Sequence, residues 1–491
     1  MGQVQHTMRP MRAGRLKWTA ITSGQAQRFE RRQAQSPCPL APDFLRGLPT
    51  VGADYQPREA ITQKLKILIN EHEYTEAFER AIGIVCQQGI PELDQIQTLD
   101  QFYFLVDAFS SWIPELRVWE WKENIYHERT DYLRITQFYY YFNQPELLAL
   151  QNPIRPDSGA SLAPLSLWMR EFAVEYGKFL DTEQSARRLE SYKYAPEYAY
   201  QDYNGGEDGI RGYRSFNDWF SRTFKQIDRQ RPVAEPDDPR VVIFPAESTY
   251  VGQWPISAAD EDPAASEATV TVKHVSWPIA TLLKDSAYAQ DFMGGTMVQS
   301  FLNVNDYHRQ HAPASGTIIE ARFIPGHVYM DVSLDRVKIK DKEPVDAGDG
   351  CETDPHLEAH DPTGFQFLQC RGLFVLQTAI GKIAVLPVGM AQVSSVVFVR
   401  PGSEELMRLS AAEQKILSYE EQVNLINARI QRDIVGRTVK KGDMITSFLF
   451  GGSDLLMLFE RQSSIQMTAE VGKHYPVRSQ VGYANIERLL P

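Results

Sequence analysis

Ser453 follows two glycines, Gly451 and Gly452, between the apolar runs Phe448-Leu449-Phe450 and Leu455-Leu456-Met457-Leu458-Phe459. Glycines adopt backbone conformations closed to other residues. They also leave the Gly452 carbonyl open to attack by the Ser453 hydroxyl. A Gly-Ser peptide bond held in such a corner is the raw material for self-cleavage. Cleavage of that kind converts a serine into a pyruvoyl group, an electrophile built from the chain itself. A plain β-turn uses the same residues, so the corner needs support from elsewhere in the chain.

A second group with chemical capacity is Asn303-Val304-Asn305-Asp306-Tyr307-His308-Arg309-Gln310-His311-Ala312-Pro313. Histidine is the side chain best suited to moving protons near neutral pH. His308 and His311 lack a third ligand at a usual metal spacing, so a proton-handling or structural pair is expected rather than a metal site. A third group is Phe244-Pro245-Ala246-Glu247-Ser248-Thr249. A carboxylate directly after an apolar strand can orient a histidine and stabilise its charged form; an exposed turn glutamate is the bland alternative. Two weaker groups remain. Cys351, His356, Glu358 and His360 lie in an acidic stretch that reads as a solvated insertion from Asp341 to Pro362. Val439-Lys440-Lys441-Gly442-Asp443-Met444-Ile445 looks like a tight hairpin, where Lys440 or Lys441 would be the modifiable lysine of a carrier module.

These groups need elements to hold them. Short runs rich in β-formers begin near Val241: Val241–Phe244, Thr317–Ile319, Val328–Met330, Leu373–Leu376 and Ile383–Leu386. One helix is expected from Ser403 to about Leu425. Upstream, Glu59 to about Leu180 reads as helical: Ile61, Leu65 and Leu68 recur at three- and four-residue steps, as do Phe78, Ile82 and Val85. Aromatics crowd Phe102 to Phe142, including Tyr139-Tyr140-Tyr141-Phe142, and predict an aromatic core. Isolated His72 and His127 read as structural or solvated. Residues 36–57 are rich in proline and read as an extended linker. Residues 1–35 carry seven Lys/Arg and one Glu, a disordered basic tail or a mitochondrial presequence.

The predicted class is therefore α+β: a helical N-terminal domain followed by a mainly antiparallel β domain. The expected parts are 1–57 (tail and linker), 58–190 (helical domain), 191–240 (linker) and 241–491 (β domain). At 491 residues the chain is too long for one ordinary core. A net charge of -12 argues against nucleic acid as a partner. The longest apolar stretch, Leu373 to Met390, is broken by Gln377 and Lys382, so no transmembrane segment is expected. Cys38, Cys86, Cys351 and Cys370 form no CxxC pair and suggest reduced thiols in an intracellular protein. The cytoplasm is the expected location, with the mitochondrion as alternative.

Taken together, the segments resemble the phosphatidylserine decarboxylase family. Its Asp-Tyr-His-x-x-His-x-Pro segment is matched by Asp306 to Pro313, and its Pro-Ala-Asp-Gly segment in part by Pro245-Ala246-Glu247-Ser248. Its Gly-Ser cleavage site is matched by Gly452-Ser453. Phe216-Asn217-Asp218-Trp219-Phe220-Ser221-Arg222-Thr223-Phe224 is similar to its Phe-Asn-x-Phe-Phe-x-Arg segment. The resemblance covers about residues 210–491. The helical region 50–190 looks like the extra domain of a soluble fungal branch that includes an L-tryptophan decarboxylase. Glu247 departs from the family's aspartate, and Asp454 stands where Ser or Thr is common.

The resemblance implies a precursor that cuts itself between 452 and 453 into two chains. Its cofactor would be a pyruvoyl group made from Ser453, which forms a Schiff base with a substrate amine as CO₂ leaves. It points to His311 for maturation and His308 for decarboxylation, with Glu247 as orienting partner; the residues alone do not separate the two histidines. The substrate would be a free L-amino acid, an aromatic one among the candidates, or else phosphatidylserine, giving phosphatidylethanolamine. A reading of another class is a non-enzymatic carrier or binding module. Whether the chain forms a homo-oligomer stays open.

Overall fold

Helix Ala60–Glu71 (α1) buries Ile61, Leu65 and Ile69, one stripe at four-residue steps. Helix Thr75–Gln87 (α2) does the same with Phe78, Ile82 and Val85. Helix Leu99–Ser110 (α3) starts at Thr98, whose hydroxyl accepts from the Gln101 amide at 3.3 Å. Helix Thr130–Phe142 (α4) is buried on almost every side, so its Tyr-Tyr-Tyr-Phe run lies at the centre of the helical region. Helix Pro164–Leu180 (α5) closes the layer. Phe138 of α4 stacks between Phe109 of α3 (4.5 Å) and Phe172 of α5 (4.7 Å), the aromatic core that the sequence predicts. The computed structural model describes residues 18–20, 44–121, 124–156, 158, 161–205, 209–257, 267–272, 274–338, 353–360, 364–389, 396–451 and 453–486.

The β region is built on an eight-stranded antiparallel sheet. Its strands, in chain order, are Ser248–Pro255 (β1), Thr296–Leu302 (β2), Gly316–Ile324 (β3), Arg371–Thr378 (β4), Gly381–Gly389 (β5), Thr438–Val439 (β6), Ser453–Phe459 (β7) and His474–Tyr475 (β8). Their spatial order is β6-β3-β4-β5-β7-β2-β1-β8. Strand β7, which starts at the corner serine, thus lies between β5 and β2 in the middle of the sheet. Leu455, Met457 and Phe459 face the large core shared with the helical region, while Leu456 and Leu458 face a second core around Trp277, Phe367 and Val388. Both faces are covered, which explains a continuous apolar run rather than an alternating one. The large core runs unbroken from Leu45 to Ala484. A smaller sheet orders Val396–Phe398, Met444–Phe448 and Arg309–His311.

The chain is α+β as predicted, but several elements differ from expectation. Strands Arg117–Trp121 and Asn124–Glu128 form a hairpin inside the expected helical run, and Trp18–Ala20 of the basic tail pairs in parallel with Ile125–His127. Val328–Met330 is not a strand; the strand is Asp331–Lys338, and it pairs with Thr353–His360 from the expected solvated insertion. The helix expected over 403–425 is two helices, Ala411–Ile416 and Tyr419–Asp433. Each starts at a reciprocal serine–glutamate cap, Ser410 with Glu413 and Ser418 with Glu421. Between Val439 and Met444 the chain turns tightly, the Asp443 amide donating to Lys440 O at 3.0 Å. The flanking strands then enter different sheets, so this is no hairpin. Gly452, Cys38, Cys351 and nearly all of the basic tail lie outside the described residues.

Candidate active site

Strand Arg309–His311 runs antiparallel to Met444–Phe448, with His311 opposite Met444 and Arg309 opposite Ser447. The ladder continues one step further: the Phe448 amide donates to His308 O at 2.8 Å. His308 therefore stands at the end of the ladder from which the chain enters the Leu449-Phe450-Gly451 corner, and His311 at the opposite end. Beyond Gly451, whose φ of +143° favours glycine, Ser453 enters β7 with its backbone paired to Gly389 and Leu302.

The His308 ring is fully buried and stacks on Phe220 at 3.9 Å. Neither ring nitrogen makes a well-formed hydrogen bond among the described residues, and the one acceptor facing the ring is the Asp306 backbone. Burial, then the nearby Arg222 charge, hold this imidazole well below its ordinary pKa. It is a neutral base with unused capacity, and buried polar atoms are seldom left so without a reason. His311 is equally buried but engaged. Its Nδ1 lies 2.7 Å from Gly442 O, to which it donates, and its Nε2 lies 3.4 Å from the Tyr307 hydroxyl. Burial and the Arg478 charge push its pKa down to about 3.

Asp306 holds the loop that leads to these histidines. Its Oδ2 accepts from the Asn303 amide at 2.7 Å and its Oδ1 lies 3.0 Å from Nε2 of His474. The hydrogen bond to Asp306 raises the His474 pKa. His474 had no signal in the sequence, being 168 positions from its partner.

Glu247 departs from expectation. The Pro245 carbonyl accepts from the His311 amide at 2.7 Å, so this loop does lie beside the histidine strand. Both Glu247 oxygens, however, are taken by the Arg231 guanidinium, at 3.0 and 2.8 Å. A planar guanidinium matches a carboxylate with two parallel bonds, a better partner than a neutral imidazole. The acceptor that orients His311 is a backbone carbonyl instead.

The corner itself is gripped from outside the sheet. The Phe450 ring packs edge-on against Phe216 (4.9 Å) and Phe220 (5.4 Å), with Trp112 of the helical region at 6.3 Å. Its amide donates to Asn217 Oδ1 at 3.2 Å. Phe216, Asn217 and Phe220 all belong to the short helix Phe216–Phe220 (α6), within the segment that carries the family resemblance. Asp454 is fully buried, and its Oδ2 accepts from Gln366 at 2.9 Å. In β7 it alternates with Leu455 and so shares the face of Leu456 and Leu458.

The weaker groups resolve differently. Lys441 is buried, its ammonium donating to Glu235 O and Asp238 O at 2.6 and 2.8 Å; it is not an exposed carrier lysine. His356 pairs with Glu358 at 2.9 Å and His127 with Glu197 at 2.7 Å. Among the described residues no cluster of three or more His, Cys, Asp or Glu is arranged to hold a metal ion. Nor is any helix there long and apolar enough to cross a membrane.

Comparison with known proteins places this geometry in context. Residues 216–483, more than half of the chain, match the family model described as phosphatidylserine decarboxylase. A phosphatidylserine decarboxylase proenzyme 3 of Schizosaccharomyces pombe is 30% identical over 163 residues, covering 33% of this chain and 15% of that protein. An L-tryptophan decarboxylase of Psilocybe cubensis is 32% identical over 117 residues, 23% of this chain and 25% of that protein. A phosphatidylserine decarboxylase proenzyme of Acinetobacter baumannii is 28% identical over 190 residues, 39% and 55% respectively. The matches thus span at most about half the length of these relatives.

Proposed function

The chain belongs to the phosphatidylserine decarboxylase family, and from that premise we propose that it is a pyruvoyl-dependent decarboxylase that cuts itself at Gly452-Ser453. The observation that carries the reading is His308: a buried, neutral imidazole with a ring nitrogen open, set at the corner end of its ladder. The residues at the corner fit a group made from Ser453. Gly451 has the backbone freedom a strained turn needs, and His308 offers a proton acceptor that nothing described uses up.

In maturation the Ser453 hydroxyl attacks the Gly452 carbonyl, exchanging the peptide bond for an ester. Elimination frees the Gly452 carboxylate, and hydrolysis at residue 453 releases ammonia and leaves the pyruvoyl group. Such a group at residue 453 would supply a carbonyl able to take up an amine and to act as an electron sink for decarboxylation. The family resemblance gives His311 the maturation step. With Nδ1–H committed to Gly442, its Nε2 carries the lone pair that a base needs, and the long 3.4 Å contact from the Tyr307 hydroxyl must open before it serves. His308 is assigned the later step, passing a proton taken up from solvent to the substrate carbon that loses CO₂.

The substrate must join an amine to a carboxylate. A free L-amino acid is the first reading, supported by the helical region against the corner and by the similarity to an L-tryptophan decarboxylase. Phosphatidylserine is the second, supported by the names of the other relatives.

Denaturing electrophoresis with intact mass tests the core of the proposal. Two chains are expected, the smaller starting at a blocked residue 453. A single full-length chain with an unmodified Ser453 would sink it, and so would an active Ser453→Ala variant. His311→Ala should stay whole, whereas His308→Ala should be cut and yet release no CO₂. CO₂ release from free L-amino acids and from phosphatidylserine vesicles separates the two substrates.

A further inference from the structure

One buried amide joins the corner to the helical region. Asn217 has no exposed surface. Its Oδ1 accepts the Phe450 amide at 3.2 Å. Its Nδ2 donates to two acceptors at the end of α5: Gly177 O at 3.2 Å and Asp181 Oδ1 at 2.9 Å. One donor faces the oxygen and two acceptors face the nitrogen, so the orientation of the amide follows from its partners. Asp181 is fixed in turn by Arg408, whose guanidinium donates to the same Oδ1 at 2.6 Å.

The helix that carries Asn217 is itself well anchored. Ser215 caps it by accepting from the Asp218 amide at 3.1 Å, and the Phe216 amide donates to Ser185 at 2.8 Å. Three residues beyond Asn217, Phe220 of the same helix carries the His308 ring. One turn of helix therefore holds both the backbone that leads into the corner and the histidine beside it. Phe450 is two residues from Gly452. Displacement of its amide moves the carbonyl that Ser453 must reach, and reactions between held groups are sensitive to shifts of about 1 Å.

We propose that Asn217 is a positioning residue for self-cleavage, through which the end of α5 sets the backbone entering the corner. The inference rests on the reading of Gly452-Ser453 as a self-cleavage site. It gives the helical region a direct part in maturation.

The test uses the full chain, made by cell-free synthesis, with conversion to two chains followed in time. Asn217→Asp keeps size and the acceptor for Phe450 but removes the donor and sets a second carboxylate against Asp181. Around this site the charged groups are Asp181 and Arg408, Lys178 in the last turn of α5, Asp218 on the same helix turned to the Arg214 amide, and Arg309, which feels both Arg408 and Asp218. Near neutral pH the variant should mature at least about tenfold more slowly, because it loses both part-buried hydrogen bonds of Nδ2, to Gly177 O and Asp181 Oδ1, each worth about 1 kcal/mol. On acidification the two carboxyls come to share a proton, which replaces the lost donor; the rate should then approach that of the wild type at the same pH. The double variant Asn217→Asp with Asp181→Asn restores a donor opposite the introduced carboxylate and should mature at a near-normal rate at neutral pH. A merely structural defect would show neither recovery. If the wild type matures and Asn217→Asp matches it at every pH, the role of Asn217 is overturned. The same holds if neither acid nor the second substitution restores a slowed or insoluble variant. A wild-type chain that stays whole overturns the self-cleavage reading itself.

Discussion

Acidification should destabilise this protein by an amount that His311 makes calculable. The imidazole is buried, tied to Gly442 and held near the Arg478 guanidinium, with a pKa of about 3 against an ordinary value of 6.5. Tyr307, beside its Nε2, and Arg309 and Asp228 are the other ionisable groups around it. Between those two pKa values the unfolded chain binds a proton that the folded chain refuses. The stabilising contribution is therefore complete above 6.5 and is lost as pH falls from there toward 3. Between about pH 7 and about pH 5 the loss from this one group comes to about 2 kcal/mol, at about 1.4 kcal/mol for each pH unit below 6.5. His308 is shifted in the same direction and His474 in the other, so the bare pH profile sums several groups. Subtraction isolates His311. Urea unfolding of the Ser453→Ala precursor at both pH values is compared with the same measurement on Ser453→Ala with His311→Gln, whose amide can still donate to Gly442. The glutamine chain should be less acid-sensitive by about 2 kcal/mol. Equal sensitivities would refute the locked, neutral His311 and with it the argument that its Nε2 is available as a base at neutral pH.

Other substitutions probe the neighbouring contacts. Glu247→Gln should lower stability by about 1–2 kcal/mol through the weakened Arg231 fork, and in the Arg231→Met background it should add little; urea midpoints of the four chains give the coupling. Phe450→Ala removes a ring held by Phe216, Phe220 and Trp112 and should cost about 3–5 kcal/mol, whereas Phe450→Leu should cost clearly less in the same thermal melt. Lys441→Met removes the donor to two partly exposed carbonyls and should cost about 0.5–1.5 kcal/mol; peptide mass mapping should find Lys440 and Lys441 unmodified.

The sequence carried the local parts of this site and missed the distant ones. Gly451, the histidine pair and the Phe216–Phe224 segment were legible because each is a compact run whose spacing has a meaning. The helical stripes of α1 and α2 were legible for the same reason. Partners supplied by the fold were not: Arg231 takes Glu247, Gly442 takes His311 and His474 takes Asp306, pairings that no periodicity announces. The hairpin at Arg117–Glu128 was hidden because its aromatic and β-branched residues suit a buried helix as well as a strand. The misplaced helix near Ser403 had a signal that went unread, the Ser-x-x-Glu caps at Ser410 and Ser418. Asp454 stands out in the sequence only as a departure from Ser or Thr; strand alternation assigns it to the second core, with Gln366.

The central place of β7 governs what would become of the protein after the proposed cut at Gly452-Ser453. Both neighbours of that strand, β5 and β2, come from the part of the chain before residue 453, while β8 and Gln480–Ala484 pair with Ser248–Thr249 and Val241–Ile243. The small fragment is thus woven through the large one. Pulling it free would open the main sheet along its midline, so the two pieces should stay together without any covalent tie. The way back is a different matter. A whole precursor delivers β7 to its slot as an intramolecular event, whereas two separated fragments must find each other at ordinary concentrations before the sheet can close. The proposed cut would therefore make folding a one-way history: the two-chain protein would keep a shape that its own pieces, once dispersed, are poorly equipped to rebuild.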